Sequence, residues 1–143
     1  MATENFIDTS LAFLGRGWDF PVSFNKGGDD VFINQAEENI KTSLNILLAT
    51  SLSERVMQPN YGCNLDKDVF ESLDTTFSTM ITEQVRTAIL TNEPRVTLES
   101  IDYDEDFLNG RVLLTINFTI ISTNTRSNLV FPFYLNEGTN LQQ

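Results

Sequence analysis

The sequence predicts an α+β domain in which two main helices pack on a three-stranded antiparallel β-meander, preceded by an extended N-terminal arm. Two central segments repeat apolar residues every three or four positions, as amphipathic helices do. The last part of the chain alternates apolar and polar residues, which is typical of strands. With 143 residues, 41% of them hydrophobic, the chain is long enough for one core. We expect an arm over residues 1–30, a main domain over residues 31–136 and a loose tail over residues 137–143.

The predicted arm combines glycines with aromatic residues. Its apolar stretch at residues 11–14 leads into a segment that contains Gly15, Arg16, Gly17, Trp18, Phe20 and Phe24. The glycines interrupt this segment too often for a long helix. Exposed apolar area costs about 25 cal/mol per Å², so we expect the arm to lie against its own domain or against a neighbour.

The first predicted helix covers about residues 35–50. Asn34 is suited to cap its N-terminus, and Glu37 and Glu38 complement the helix dipole in the first turn. Its apolar face is formed by Ala36, Ile40, Leu44, Leu47 and Leu48. A turn cluster at residues 59–62 then breaks the pattern, and a short helical turn is expected around residues 65–70.

The second predicted helix follows Asp74 and ends near Thr91 and Asn92, because Pro94 cannot continue it. Its apolar face consists of Phe77, Met80, Ile81, Val85, Ala88 and Ile89. These side chains are expected to pack in the core.

Three strands are predicted after this helix. The first changes the parity of its apolar residues, which predicts a β-bulge near Glu99 and Ser100. Asn109-Gly110 predicts a hairpin turn. The second strand should bury Val112, Leu114, Ile116, Phe118 and Ile120, and the third should place Leu129, Phe131, Phe133 and Leu135 on one face. Pro132 cannot donate a ladder hydrogen bond, so the third strand is predicted to lie at a sheet edge or to turn Pro132 outward.

Composition excludes several classes of function. The chain has no histidine, which removes Ser-His-Asp triads and His-ligated metal sites. The single Cys63 fits a reducing cytoplasm and is expected to be a small packed side chain. A formal charge of −11 opposes nucleic-acid binding. No segment approaches the length of a membrane span, so we expect no membrane insertion and a cytoplasmic protein on synthesis.

No catalytic residue, cofactor or metal is predicted. Asp102, Asp104 and Asp106 lack the glycine and the bidentate glutamate of a calcium loop, so they are interpreted as a solvated strand face. The glycine pairs match no phosphate-binding loop. A pair of carboxylates for glycoside hydrolysis remains an enzymatic alternative, but the sequence singles out no such pair.

Glu93-Pro94-Arg95 is the sharpest local feature, since it lies where a helix stops and a strand begins. One interpretation is a proline-enforced break with two surface charges. The other is that Pro94 fixes the backbone so that a carboxylate and a guanidinium fork are offered to a partner or to a local network. The residues alone leave both open.

Four segments, in this order, resemble the lysozyme-like baseplate wedge family of contractile phage tails, extracellular contractile injection systems and type VI secretion systems. They are Phe13-Leu14-Gly15-Arg16-Gly17-Trp18 with Phe20-Pro21, the run from Glu54 to Cys63 with Phe70, Glu93-Pro94-Arg95, and the run from Asn128 to Phe133. Phage tails and extracellular systems are the better match, and a type VI subunit is the alternative.

The resemblance implies a structural baseplate subunit that links the wedge and the inner tube or hub to the first sheath ring, in a six-fold assembly. Its sheet would template the sheath subunit by strand addition, and its final location would be the baseplate of a tail or released particle. Partner-binding residues would be Glu93, Pro94 and Arg95 toward the wedge, with Gly15, Arg16, Gly17, Trp18, Leu129 and Phe131 on the arm and the sheet. A peptidoglycan-cleaving enzyme is the less favoured alternative.

Overall fold

The computed structural model describes residues 9–24, 26–27, 30–65, 75–106 and 108–134. Its elements in chain order are a 3₁₀ helix (Thr9–Leu14), β1 (Arg16–Trp18), β2 (Ile33–Gln35), α1 (Ala36–Ala49), α2 (Thr75–Asn92), β3 (Val96–Asp106), β4 (Arg111–Ile120) and β5 (Thr125–Tyr134). The predicted α+β class with a three-stranded meander is confirmed. Most of the turn predicted at residues 65–70, Leu135 and the tail over residues 137–143 lie outside the described residues.

Contacts within the chain divide it into two compact units, residues 1–46 and residues 47–143. In the first unit, β1 and β2 form a small antiparallel ribbon with Trp18 opposite Ile33. The segment predicted as an extended arm therefore contributes a strand to this ribbon. A Cβ on Gly17 would lie 2.8 Å from Nδ2 of Asn39, so glycine allows the strand to approach that amide closely.

The prediction that Asn34 caps the first helix is wrong. Asn34 lies in β2, and the helix begins at Ala36. Its Nδ2 donates to Oδ1 of Asp19 at 3.2 Å and to Oγ1 of Thr42 at 2.7 Å, while its Oδ1 accepts a bond from Asn39. Local capping preference was outweighed by a side-chain network that joins the ribbon to the helix within the first unit.

The predicted apolar faces of both helices are buried. The buried residues of α1 are Ile40, Leu44, Leu47 and Leu48, and those of α2 are Phe77, Ile81, Val85, Ala88 and Ile89. Met80 is only half-buried. Neither helix in the described part of the chain combines the length and the hydrophobicity needed to cross a bilayer.

The sheet in the second unit has the order β3-β4-β5, with both pairs antiparallel. The predicted inward residues of β4 are at most 1% exposed: Val112, Leu114, Ile116, Phe118 and Ile120. The predicted bulge is confirmed, since the β3–β4 register shifts between Leu98 and Ser100. The turn at Asn109-Gly110 is also confirmed, and Gly110 has a φ of 60° there.

The opposite face of the sheet is polar. Nδ2 of Asn117 donates to Oγ of Ser100 and to Oδ2 of Asp102, both at 2.9 Å. Oδ2 of Asp106 accepts bonds from Nδ2 of Asn109 at 2.7 Å and from Nε of Arg111 at 3.0 Å, and these lower the pKa of Asp106. The acidic face of β3 thus supports the hairpin and faces solvent, as its alternation predicts.

Candidate interaction site

Glu93 and Arg95 form a bidentate ion pair within the chain. Nε of Arg95 donates to Oε1 of Glu93 at 2.6 Å, and Nη2 donates to Oε2 at 2.7 Å. The Glu93 side chain is 4% exposed, whereas that of Arg95 is 31% exposed. In the described residues, Glu93 is the one buried side chain that carries a charge. The structure therefore resolves one question that the sequence left open: the pair is made internally.

The neighbouring backbone holds this pair in place. Glu93 N–H continues the helical pattern by donating to the carbonyl of Ile89 at 2.9 Å, and Arg95 carbonyl oxygen accepts from Ile121 N–H at 3.0 Å. Pro94 joins these two anchored residues. The hydrogen bonds that the Arg95 guanidinium donates to Glu93 raise the pKa of Arg95, so the guanidinium stays charged. The Glu93–Arg95 pair, called the brace below, thus joins the C-terminal end of α2 to the beginning of β3.

A loop between α1 and the second helix closes next to this pair. Cys63 N–H donates to the carbonyl of Thr50 at 2.8 Å, and Ser53 N–H donates to the carbonyl of Pro59 at 2.9 Å. At Gly62, where φ is 122°, a Cβ would lie 2.4 Å from the Thr50 carbonyl oxygen, so only glycine fits the base of the loop. Cys63 is buried, as expected for a packed side chain.

Tyr61 connects this loop to the Glu93–Arg95 pair. The Arg55 guanidinium carbon stands 4.4 Å from the centre of the Tyr61 ring. Burial raises the pKa of Tyr61, Arg55 partly opposes that rise, and the nearby charge of Glu93 adds to it. A shallow cleft of about 520 Å³ between the loop and the C-terminal end of α2 is lined by Met57, Gln58, Pro59, Asn60, Tyr61, Thr91 and Asn92. Two segments that are thirty or more positions apart in the sequence thus meet at one end of the second unit.

The first unit presents exposed aromatic side chains around the predicted Gly15-Arg16-Gly17-Trp18 segment. Trp18 is 67% exposed, Phe20 58% and Phe24 66%. Gly15 has a φ of 93°, which positions the chain between the 3₁₀ helix and β1. Of the two expected settings for this segment, its own domain or a neighbour, these side chains are left to the second, because they are exposed in the single chain; contact with a neighbour stays a prediction.

The alternation of backbone groups identifies which residues of β5 direct their N–H and C=O groups away from β4. Ile121 N–H points to β3, since it bonds to Arg95. Backbone groups alternate along an antiparallel strand, so the even-numbered residues of β4 bond toward β5. Their partners on β5 are odd-numbered, as the pairing of Leu114 with Phe131 shows. The N–H and C=O groups of the even-numbered residues of β5 therefore face its outer edge.

The predicted partner-binding residues Leu129 and Phe131 are half-buried, with backbone groups directed at β4. The backbone groups directed away from β4 belong instead to residues that the sequence analysis did not single out: Arg126, Asn128, Val130 and Tyr134. Pro132 was the available signal, because a proline fits only where no ladder N–H is needed. It is exposed on this edge strand, which confirms its predicted setting.

Within the described ranges, no group of three acidic or cysteine side chains is arranged to hold a metal ion. The features present are the Glu93–Arg95 ion pair, an ordered loop, and a sheet edge at β5 on which no described residue adds a further strand. Such features bind protein partners through shape, apolar contact and backbone hydrogen bonds.

Comparison with known proteins identifies a family and several similar structures. A family model described as baseplate wedge protein gp25 matches residues 34–125. A Geobacter sulfurreducens protein with the provisional name tail lysozyme is 41% identical, with 74% of this chain and 96% of that chain covered and a TM-score of 0.68. Among curated proteins, no sequence matches this chain.

Two baseplate structures share the fold. A chain of the six-fold symmetrised anti-feeding prophage baseplate is 22% identical, with 90% of this chain and 92% of that chain covered and a TM-score of 0.65. A chain of the postcontracted pyocin R2 baseplate is 21% identical, with 69% of this chain and 97% of that chain covered and a TM-score of 0.57.

Proposed function

Because this chain belongs to the family of baseplate wedge protein gp25 and is a baseplate component of a contractile injection system, we propose that it joins the wedge to the sheath. One side binds wedge and inner tube or hub proteins, and the sheet receives a strand from the first sheath ring. Its copies occupy equivalent positions in a six-fold assembly. The particle is a phage tail or an extracellular injection system, with a type VI subunit as the alternative.

The open outer edge of β5 is the observation that carries this proposal. Its register with β4 is uninterrupted over ten pairs, whereas the β3–β4 register shifts at the bulge between Leu98 and Ser100. Arg126, Asn128 and Val130 direct their backbone groups to this edge, as an added strand requires, and Pro132, which has no N–H, ends that run. We therefore assign β5, and not β3, as the edge that receives the sheath strand.

Two separate surfaces are proposed to contact the wedge: the Glu93–Arg95 pair in the second unit and the exposed aromatic side chains of the first unit. Arg95 keeps 31% of its side chain exposed after pairing with Glu93, so it can present a rigid guanidinium face to a neighbour. Exposed Trp18, Phe20 and Phe24 in the first unit offer apolar area of the kind that anchors protein interfaces. Both surfaces are proposed to be covered in the assembled baseplate.

Deletion of the gene tests this function. We expect a deletion strain to produce no sheathed particles, because sheath polymerisation lacks its template, and expression of the intact chain to restore them. Electron microscopy of purified particles measures the outcome. Normal sheathed particles in the deletion strain would contradict the proposed function.

A muramidase activity is the rival proposal, and the provisional name of the Geobacter sulfurreducens protein raises it. We expect purified protein to release no more sugar from peptidoglycan than a mock preparation does. Glycoside hydrolysis needs a carboxylic acid and a carboxylate on either side of the bond. Robust turnover that disappears on replacing one acidic residue, with the melting temperature preserved, would favour the enzyme.

A further inference from the structure

The loop of residues 51–62 presents an apolar tip. Val56 is 88% exposed and Met57 is 94% exposed, and the two are adjacent in sequence. Isolated apolar side chains are common on protein surfaces. Two neighbouring, almost completely exposed ones at the end of an ordered loop indicate a surface shaped for contact.

The loop is held in one conformation by its own hydrogen bonds. Ser51 N–H donates to Oε2 of Glu54 at 2.8 Å, Gln58 N–H donates to the carbonyl of Arg55 at 3.3 Å, and the Arg55 guanidinium lies over Tyr61. A preorganised loop loses little entropy on binding, so its apolar tip yields more affinity than a flexible one.

The backbone at the tip is strained. Met57 has a φ of 64° and Ser53 a φ of 70°, in the left-handed region that non-glycine residues rarely adopt. Such conformations are unfavourable and persist only where surrounding structure maintains them, often at functional sites. Met57 adopts one while its side chain is almost completely exposed, so it contributes nothing to the chain's own core.

We infer that Val56 and Met57 form a plug that inserts into a concave, apolar pocket on a different protein of the baseplate. This rests on the proposed function, because it places the partner in the same particle. The charges of the loop, Glu54 and Arg55, are engaged by loop residues, so the partner pocket needs no strong charge. A second copy of this chain is the poorer occupant, since each copy carries a formal charge of −11.

The test replaces the plug without disturbing the loop. Asparagine tolerates the left-handed region better than methionine, so Met57→Asn combined with Val56→Ser should leave the melting temperature unchanged or slightly higher. Leu108→Asn is the matched control, because Leu108 is 97% exposed at the β3–β4 turn. Expressed in the deletion strain, the plug variant should give a particle yield about tenfold or more below that of the intact chain, the equivalent of 1.4 kcal/mol. The control variant should give the same yield as the intact chain.

A photo-crosslinking amino acid at position 57 identifies the partner in purified particles. We expect one adduct, with a different baseplate protein. An adduct with a second copy of this chain, or full particle yield from the plug variant in a strain that needs the gene, would overturn the plug. Normal particles without the gene would instead overturn the proposed function, so the two failures are distinguishable.

Discussion

Replacing Arg95 with alanine is expected to lower the melting temperature of the isolated protein by roughly 10 °C, corresponding to a loss of about 3 kcal/mol. The variant leaves the Glu93 carboxylate in a site where it is 4% exposed, without the two guanidinium bonds at 2.6 and 2.7 Å. A buried carboxylate that has lost its guanidinium partner, and not the lost attraction alone, accounts for the size of the effect. Thermal unfolding followed by circular dichroism measures it.

A double-mutant cycle identifies the physical cause. Glu93→Gln alone should destabilise the protein less than Arg95→Ala, because Arg95 is 31% exposed and can be solvated by water. In the Arg95→Ala background, however, Glu93→Gln should stabilise the protein, since it removes the buried charge that has lost its guanidinium partner. Arg126→Ala is the control, because its side chain is 83% exposed and its ion pair with Glu99 should contribute less than about 1 kcal/mol.

The same variants separate the brace from a direct interface. If the pair acts as a brace, incorporation into baseplates should fall only in proportion to the loss of folded protein. An unchanged melting temperature with blocked incorporation would show that Arg95 acts mainly on a partner. A change in neither quantity would mean that residues 93–95 merely end a helix.

Replacing Val130 with proline is expected to block sheath polymerisation while leaving the isolated protein folded. Val130 N–H faces the outer edge of β5, so proline removes no bond to β4 but removes a donor to the added strand and places its ring in that strand's path. Loss of one such bond alone is worth about tenfold in binding. Sheathed particles in the complemented deletion strain are counted by electron microscopy.

A proline at an odd-numbered position of β5, whose N–H faces β4, is the control for the outer-edge variants. Phe131→Pro removes an N–H that faces β4, so it should lower the melting temperature strongly before any question of assembly arises. Asn128→Pro, one position along the same outer edge as Val130, should reproduce the assembly defect if Val130→Pro expresses poorly. Pro132 shows that β5 folds with a proline on this edge, and the sheath strand is proposed to pair along residues 126–130, before Pro132 is reached. Normal sheath on both outer-edge variants would exclude β5 as the receiving strand.

Sequence periodicity by itself determined the architecture of the second unit. The strict alternation from Val112 to Ile120, the parity change at Glu99-Ser100 and the Asn109-Gly110 turn predicted β3, β4, the bulge and the hairpin. These features follow from local rules, since a side-chain period of two and a turn's φ requirement depend on neighbouring residues alone. The family resemblance was also readable from the chain.

Tertiary structure alone decided three matters: the internal partner of Glu93, the approach of the 51–62 loop to the end of α2, and the outward direction of Val56 and Met57. The sequence could not predict these three features, because an ion pair, a loop-to-helix cleft and the exposure of an apolar side chain each depend on residues distant in the chain. Asn34 is a further example: its residue type predicted a helix cap, but its side chain instead donates hydrogen bonds to Asp19 and Thr42. Local preference is worth about 1 kcal/mol at such a position, and long-range hydrogen bonds can exceed it.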